Sequence, residues 1–125
     1  MKPMFEIRVE KTIACAHRLF GYNGPCEELH GHNYRIEVMY QGAELDEFGM
    51  LVDFTDVKRE FNRVLEELDH TYLNDLPAFK DISPSAENIA RYIFSELKKT
   101  PFDRGELCAV SVWETPTQVA VYREG

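Results

Sequence analysis

The chain has 125 residues and a formal net charge of −8, which together predict one domain over residues 1–125 and exclude broad electrostatic binding to nucleic acid or an anionic membrane. A small phosphorylated substrate stays possible, because a few local cations suffice to hold it. The 3 cysteines are odd in number, with Cys15 and Cys108 in apolar strand patterns, and no apolar run approaches membrane-spanning length; a reduced cytoplasmic protein is expected, without a signal peptide or disulfide scaffold.

In chain order, Phe5, Ile7, Val9, Ile13, Cys15 and His17 share odd parity and predict a strand with one apolar face that ends at His17. Residues 34–40 alternate apolar and polar behind His30-Gly31-His32 and predict a second strand. If these two form a hairpin, the loop of residues 18–29 brings His17 back beside the pair. Residues 41–49 are polar with glycines near both ends and read as a turn. Over residues 55–68, Val57, Phe61, Val64, Leu65 and Leu68 recur at helical spacing, with Asp53 or Thr55 available as cap. Ser83 followed by Pro84 predicts the start of a second helix, whose apolar stripe is Ile89, Ala90, Ile93, Phe94 and Leu97. Residues 107–113 and 119–122 are β-prone, joined through Glu114-Thr115-Pro116-Thr117. The order predicts an α+β fold, a four-stranded antiparallel sheet with two helices on one face. Its two open edges favour association with further copies of the chain.

Three of the 4 histidines fall at the two strand ends. On an extended segment, residues two apart project from the same face, so one ion can bind both His30 and His32. With His17 they make three neutral imidazoles and leave one position open, the arrangement of a catalytic zinc site. Gly31 leaves space for a close approach. Cys26, four residues before His30, is a fourth zinc ligand that closes the site, a nucleophile or general base, or an ordinary loop cysteine. Asp69-His70 suits proton transfer near neutral pH, but taken by itself it reads first as a histidine at a helix C-terminus, where a cationic ring meets the dipole. Glu114 could accept two parallel hydrogen bonds from a guanidine-like edge, although an acid beside a turn is commonly just solvated. Ser85 and Glu87, at the start of the second helix, have a first duty to its free backbone amides.

Taken in order, Ala16-His17, Cys26-x-x-x-His30-Gly31-His32-Asn33-Tyr34, Gly49-Met50-Leu51-Val52-Asp53-Phe54, Leu68-Asp69-His70-x-x-Leu73-Asn74, Pro84-Ser85-x-Glu87-Asn88 and Val112-x-Glu114-Thr115 resemble the 6-pyruvoyltetrahydropterin synthase and 6-carboxytetrahydropterin synthase family. The resemblance implies the tunnelling fold, in which sheets of neighbouring subunits join into an oligomeric barrel. It implies a homohexamer, a dimer of trimers with active sites between subunits. It assigns Zn²⁺ to His17, His30 and His32, the general base to Cys26, proton transfer to Asp69 and His70, and the pterin ring to Glu114, with Ser85 and Glu87 as substrate-binding candidates. The implied substrate is 7,8-dihydroneopterin triphosphate. The short gap between Cys26 and His30 resembles the bacterial 6-carboxy branch, which serves 7-deazaguanine and queuosine biosynthesis. Ile13 and Cys15 depart from the family's usual phenylalanine and alanine, and Ser85 replaces a frequent threonine. Glu27-x-x-His30-Gly31-His32 also resembles a folate-making branch that uses glutamate to form 6-hydroxymethyl-7,8-dihydropterin, so Glu27 is an alternative base or one more solvated acid. Two readings of another class remain: a non-catalytic zinc protein closed by Cys26, and a pterin- or purine-binding module built on Glu114.

Overall fold

A computed structural model describes residues 4–17 and 30–124, with His30 described through its backbone alone. Strands β1 (Phe5–His17) and β2 (His30–Gly42) pair antiparallel along their whole length, from Phe5 opposite Gly42 to His17 opposite His30. Then come α1 (Phe54–Glu66), two short 3₁₀ turns (Leu73–Asp75 and Pro77–Phe79), α2 (Ala86–Lys98), β3 (Glu106–Thr115) and β4 (Gln118–Arg123). The four strands form one antiparallel sheet in the order β1-β2-β3-β4. The expected α+β architecture is therefore present. No helix among the described residues is long and apolar enough to cross a membrane.

Alternation decides which face is buried. Val9 and Ile13 of β1, Tyr34, Ile36 and Val38 of β2, and Val110 and Val112 of β3 enter the core. They meet Val57, Phe61, Val64 and Leu65 of α1 and Ile89, Ala90, Ile93, Phe94 and Leu97 of α2. Helix α2 lies on β3 and β4, and α1 lies beside it against β1. The odd parity of β1 has two polar members, His17 at its end and Lys11 in its middle. Lys11 is exposed, and its Nζ donates to Oδ1 of Asn62 on α1 at 3.0 Å, so its charge stays at the water-exposed edge of the sheet instead of entering the core.

Helix boundaries differ from expectation by one or two residues for identifiable reasons. Asp53 caps α1 by accepting from the Thr55 amide, as its position suggested, but the helix ends at Glu66 and Leu68 is buried from the turn beyond. Helix α2 is capped by Ser85, not Ser83: Ser85 Oγ accepts from the Asn88 amide at 3.2 Å, which places Pro84 just before the cap. The side chain of Asn88 donates back to the Ser83 carbonyl at 2.9 Å, so both serines serve the entry to this helix. In the turn after β2, Asp46 Oδ1 accepts from the Phe48 and Met50 amides, and Gly49 takes φ +80°, a backbone state that favours glycine.

Two features shape the sheet around the histidine end. The histidine end of the free β1 edge is covered by the segment after α1: the His70 amide donates to the Ala14 carbonyl at 2.5 Å, the Ala16 amide to the Thr71 carbonyl at 3.0 Å, and Tyr72 forms a parallel bridge with Ala16. The backbone groups of Ala14 and Ala16 on that edge are thereby satisfied within the chain. In β3, the register against β4 shifts between Trp113 and Thr115, so Glu114 sits at an irregularity inside the strand. The turn itself is confined to Pro116-Thr117, later than the sequence placed it.

Candidate active site

His17 ends β1 on the core face and is only 1% exposed. A buried imidazole must place both ring nitrogens. Its Nδ1 lies 2.6 Å from the Pro84 carbonyl, and since a carbonyl only accepts, Nδ1 carries the proton and donates. The lone pair is then on Nε2, the tautomer a metal ligand needs. Tyr34 Oη lies 3.0 Å from Nδ1 and 3.2 Å from Nε2; with Nδ1 committed to Pro84, Nε2 is the nitrogen that can accept the hydroxyl proton. Tyr34 is fully buried, and its ring also rests against His32, with centroids 5.3 Å apart. The rings of His17 and His32 meet edge to face at 5.2 Å.

The ligand atoms of His17, His32 and Glu114 all lie within 4.8 Å of one another. They come from three adjacent strands. Cys15 pairs with His32, His17 pairs with His30, and Glu114 continues the parity of the buried Val110 and Val112 on β3. Two imidazoles with a carboxylate are borderline donors that fit a divalent ion such as zinc. The backbone position of His30 directly opposite His17 is the one the hairpin reading required. Cys26 and Glu27 lie outside the described residues.

Asp69 and His70 close the turn that follows α1, the Asp69 amide donating to the Leu65 carbonyl at 2.8 Å, and the same two residues are held against β1. Asp69 Oδ1 accepts from the Ala14 amide at 3.0 Å and lies 3.0 Å from His70 Nδ1. His70 takes φ 57° and its side chain is 83% exposed. A left-handed histidine is uncommon, and here three bonds to β1 fix the segment around it. A cavity of about 420 Å³ is lined by Cys15, Gly31, His32, Asn33 and His70 among others, so His32 and His70 border one space. Ser85 is committed to capping α2, and Glu87 is exposed in the first turn of that helix. Neither belongs to the group within ligand range of His17.

The remaining described thiols are inert. Burial, with the Asp69 carboxylate adding to it, pushes the Cys15 thiol up to about 12, and burial also raises Cys108. Asp69 is held below the usual carboxylate range, first by the Ala14 amide and then by His70. Its folded-state value being the lower, its stabilisation is complete above the unfolded value of about 3.9 and is lost as pH falls through the folded one. Asp69→Ala is therefore expected to cost about 1 kcal/mol at pH 7, the lower range for a hydrogen bond at a partly exposed site, with the deficit shrinking near pH 3. Urea unfolding at both pH values measures this; a deficit independent of pH would contradict it.

Sequence reading did not find Pro84 or assign Tyr34 a place at the site. Nothing in a Ser-Pro-Ser run marks a carbonyl that will receive a histidine proton. Tyr34 carried a usable signal, because it shares the parity of His30 and His32 and so falls under them on the same face.

The fold and this cluster define an α+β domain with an imidazole–carboxylate site at one rim of its sheet. Residues 6–125 match the family model described as 6-pyruvoyl tetrahydropterin synthase, and the chain belongs to that family. It is 31% identical to a 6-carboxy-5,6,7,8-tetrahydropterin synthase of Haemophilus influenzae, over 97% of this chain and 100% of that protein. The structure of a Caenorhabditis elegans 6-pyruvoyl tetrahydropterin synthase superposes with a TM-score of 0.88 at 30% identity, covering 99% of this chain and 98% of the other. A Plasmodium vivax 6-pyruvoyltetrahydropterin synthase, a mutant at a glutamate described as a catalytic residue, shares the fold with a TM-score of 0.78 at 22% identity, over 98% of this chain and 99% of that one.

Proposed function

We propose that this protein is a zinc-dependent 6-carboxy-5,6,7,8-tetrahydropterin synthase. It converts 7,8-dihydroneopterin triphosphate with loss of triphosphate and acetaldehyde, in the route to 7-deazaguanines such as queuosine. The observation that carries the reading is the convergence of His17, His32 and Glu114 within 4.8 Å in a chain that matches the pterin synthase family along nearly its whole length. Full coverage of the Haemophilus 6-carboxy enzyme and the short Cys26-x-x-x-His30 spacing favour that branch.

His17, His30 and His32 hold the zinc. Bound zinc supplies Lewis acidity that makes the hydroxyls of the substrate's side chain, and the adjacent carbon-bound proton, more acidic. Cys26, as thiolate, removes a proton. His70, oriented by Asp69, returns protons as the side chain rearranges. Glu114 accepts hydrogen bonds from the pterin's amino-pyrimidine edge and fixes the ring. Ser85 and Glu87, beside Pro84, contribute to the substrate's surroundings from the start of α2. The protein assembles as a homohexamer, a dimer of trimers whose sites lie between subunits; the edge strand β4, with Val119 and Val121 exposed, supports such association.

A second activity is favoured by Glu27, which stands next to Cys26 at the spacing of the folate-making branch. The test is mass spectrometry of products after incubating zinc-loaded protein with 7,8-dihydroneopterin triphosphate. We expect 6-carboxytetrahydropterin as the major product, with 6-hydroxymethyl-7,8-dihydropterin beside it where Glu27 also acts. Absence of both products sinks the assignment to this substrate.

A further inference from the structure

Glu114 is asked for two incompatible things. In the structure its carboxylate stands within 4.8 Å of the ligand nitrogens of His17 and His32, close enough to share an ion with them after small side-chain rotations. In the proposed reaction the same carboxylate holds the amino-pyrimidine edge of the pterin. That edge and the 6-substituent, which reaches the metal, lie at opposite ends of a fused bicycle. One carboxylate cannot stay at the metal and also grip the far edge of the ring. The carboxylate has room to swing between the two: Glu114 lies at the register break between Trp113 and Thr115, where strand packing does not fix its direction, and it is only partly buried. Irregularities of this kind re-aim a side chain relative to the strand.

We propose that Glu114 is an exchangeable metal ligand. It completes the coordination of the cation in the substrate-free protein and leaves for the pterin edge as the ring arrives, opening the position that the substrate's hydroxyls then take. This inference rests on the zinc reading above. It gives the resting centre a closed donor set of imidazoles and carboxylate, and it makes ring binding the event that frees a coordination site. A reciprocal consequence follows from linkage. A pterin that occupies the ring site without supplying hydroxyls to the metal must weaken metal binding, and the metal must weaken that pterin by the same factor.

The experiment measures Zn²⁺ dissociation constants by competition with a chromophoric chelator. The full-length protein, Glu114→Gln, Glu114→Asp and His32→Ala are compared, each with and without saturating 6-methylpterin, whose binding is followed by its own fluorescence. Glu114→Gln keeps the shape and removes the charge, and is expected to raise the zinc Kd by more than about 10-fold, at least the loss typical of groups that only support a ligand. Glu114→Asp retains a carboxylate and recovers part of that affinity. 6-Methylpterin is expected to raise the wild-type zinc Kd several-fold and to leave the Kd of Glu114→Gln unchanged. An unaltered zinc Kd in Glu114→Gln overturns the proposal. So does a Kd that rises in Glu114→Gln while the wild type is indifferent to bound 6-methylpterin, since Glu114 is then a fixed ligand. Failure of the underlying reading looks different: zinc affinity that survives His32→Ala, or no 6-methylpterin binding at all, removes the pterin synthase site and the exchange with it.

Discussion

Cys26→Ala is expected to lower the rate of 6-carboxytetrahydropterin formation by about 10²–10⁴-fold, the range for loss of a positioned general base. The described chain offers no substitute thiol. Cys15 borders the cavity shared by His32 and His70 but is buried with its thiol pushed up to about 12, and Cys108 is buried at the other end of the sheet, where its Sγ donates to the Met39 carbonyl at 3.3 Å. Cys26 belongs instead to residues 18–29, whose two flanking residues, His17 and His30, face each other across the hairpin. A thiolate near a cation and near neutral pH is both available and nucleophilic. The zinc content of Cys26→Ala decides between the catalytic and structural readings. Unchanged zinc affinity with lost turnover makes Cys26 a base, whereas a large loss of zinc makes it the ligand that closes a non-catalytic site. Full turnover in Cys26→Ala removes it from the mechanism, and Glu27→Ala run in parallel reports on the hydroxymethyl product.

His17→Ala is expected to have the largest effect on metal binding, a loss of more than about 100-fold in zinc affinity, because it removes a direct ligand where supporting groups alone cost 10- to 100-fold. It also loosens the fold. His17 is almost wholly buried and donates to the carbonyl of Pro84, which is itself buried. Truncation withdraws the donor from that carbonyl and leaves space beneath Tyr34, together costing about 2–3 kcal/mol. Urea unfolding in the presence of a chelator isolates this cost from the contribution of bound metal. A variant that keeps wild-type stability without metal and loses only zinc affinity would show that the Pro84 bond is unimportant to the fold.

Much of the architecture was legible because it depends on local periodicity. The odd-parity run to His17, the alternation after His32 and the 3.6-residue stripes of α1 and α2 each report which face is buried, whatever lies opposite. Boundaries were harder, since they depend on one hydrogen bond. Ser83 and Ser85 are equivalent candidates by composition, and only the Ser85 Oγ to Asn88 amide bond selects between them. From sequence, Asp69-His70 suits either proton transfer or a helix end, and it does stand at the end of α1. Its location on the free edge of β1 depends on pairing with residues more than fifty positions earlier, which periodicity does not encode.

For the site, residue type and spacing were enough to single out His17, His30 and His32, because imidazoles at strand ends are visible one-dimensionally, whereas Glu114, an acid beside a turn, was a weak local signal that the family resemblance raised. The meeting point of these groups was not visible in that way. Glu114 reaches the histidines because β3 pairs with β2 and not with β1, and because a register break falls at that residue. The tautomer of His17 is likewise a tertiary property, decided by the Pro84 carbonyl 67 residues away. The sequence by itself determined the donor chemistry and the faces that carry it, since both follow from side-chain identity and local geometry. The tertiary structure alone decided which donors share one ion-sized space, because strand order, register and a buried carbonyl are relations between segments that no single segment contains.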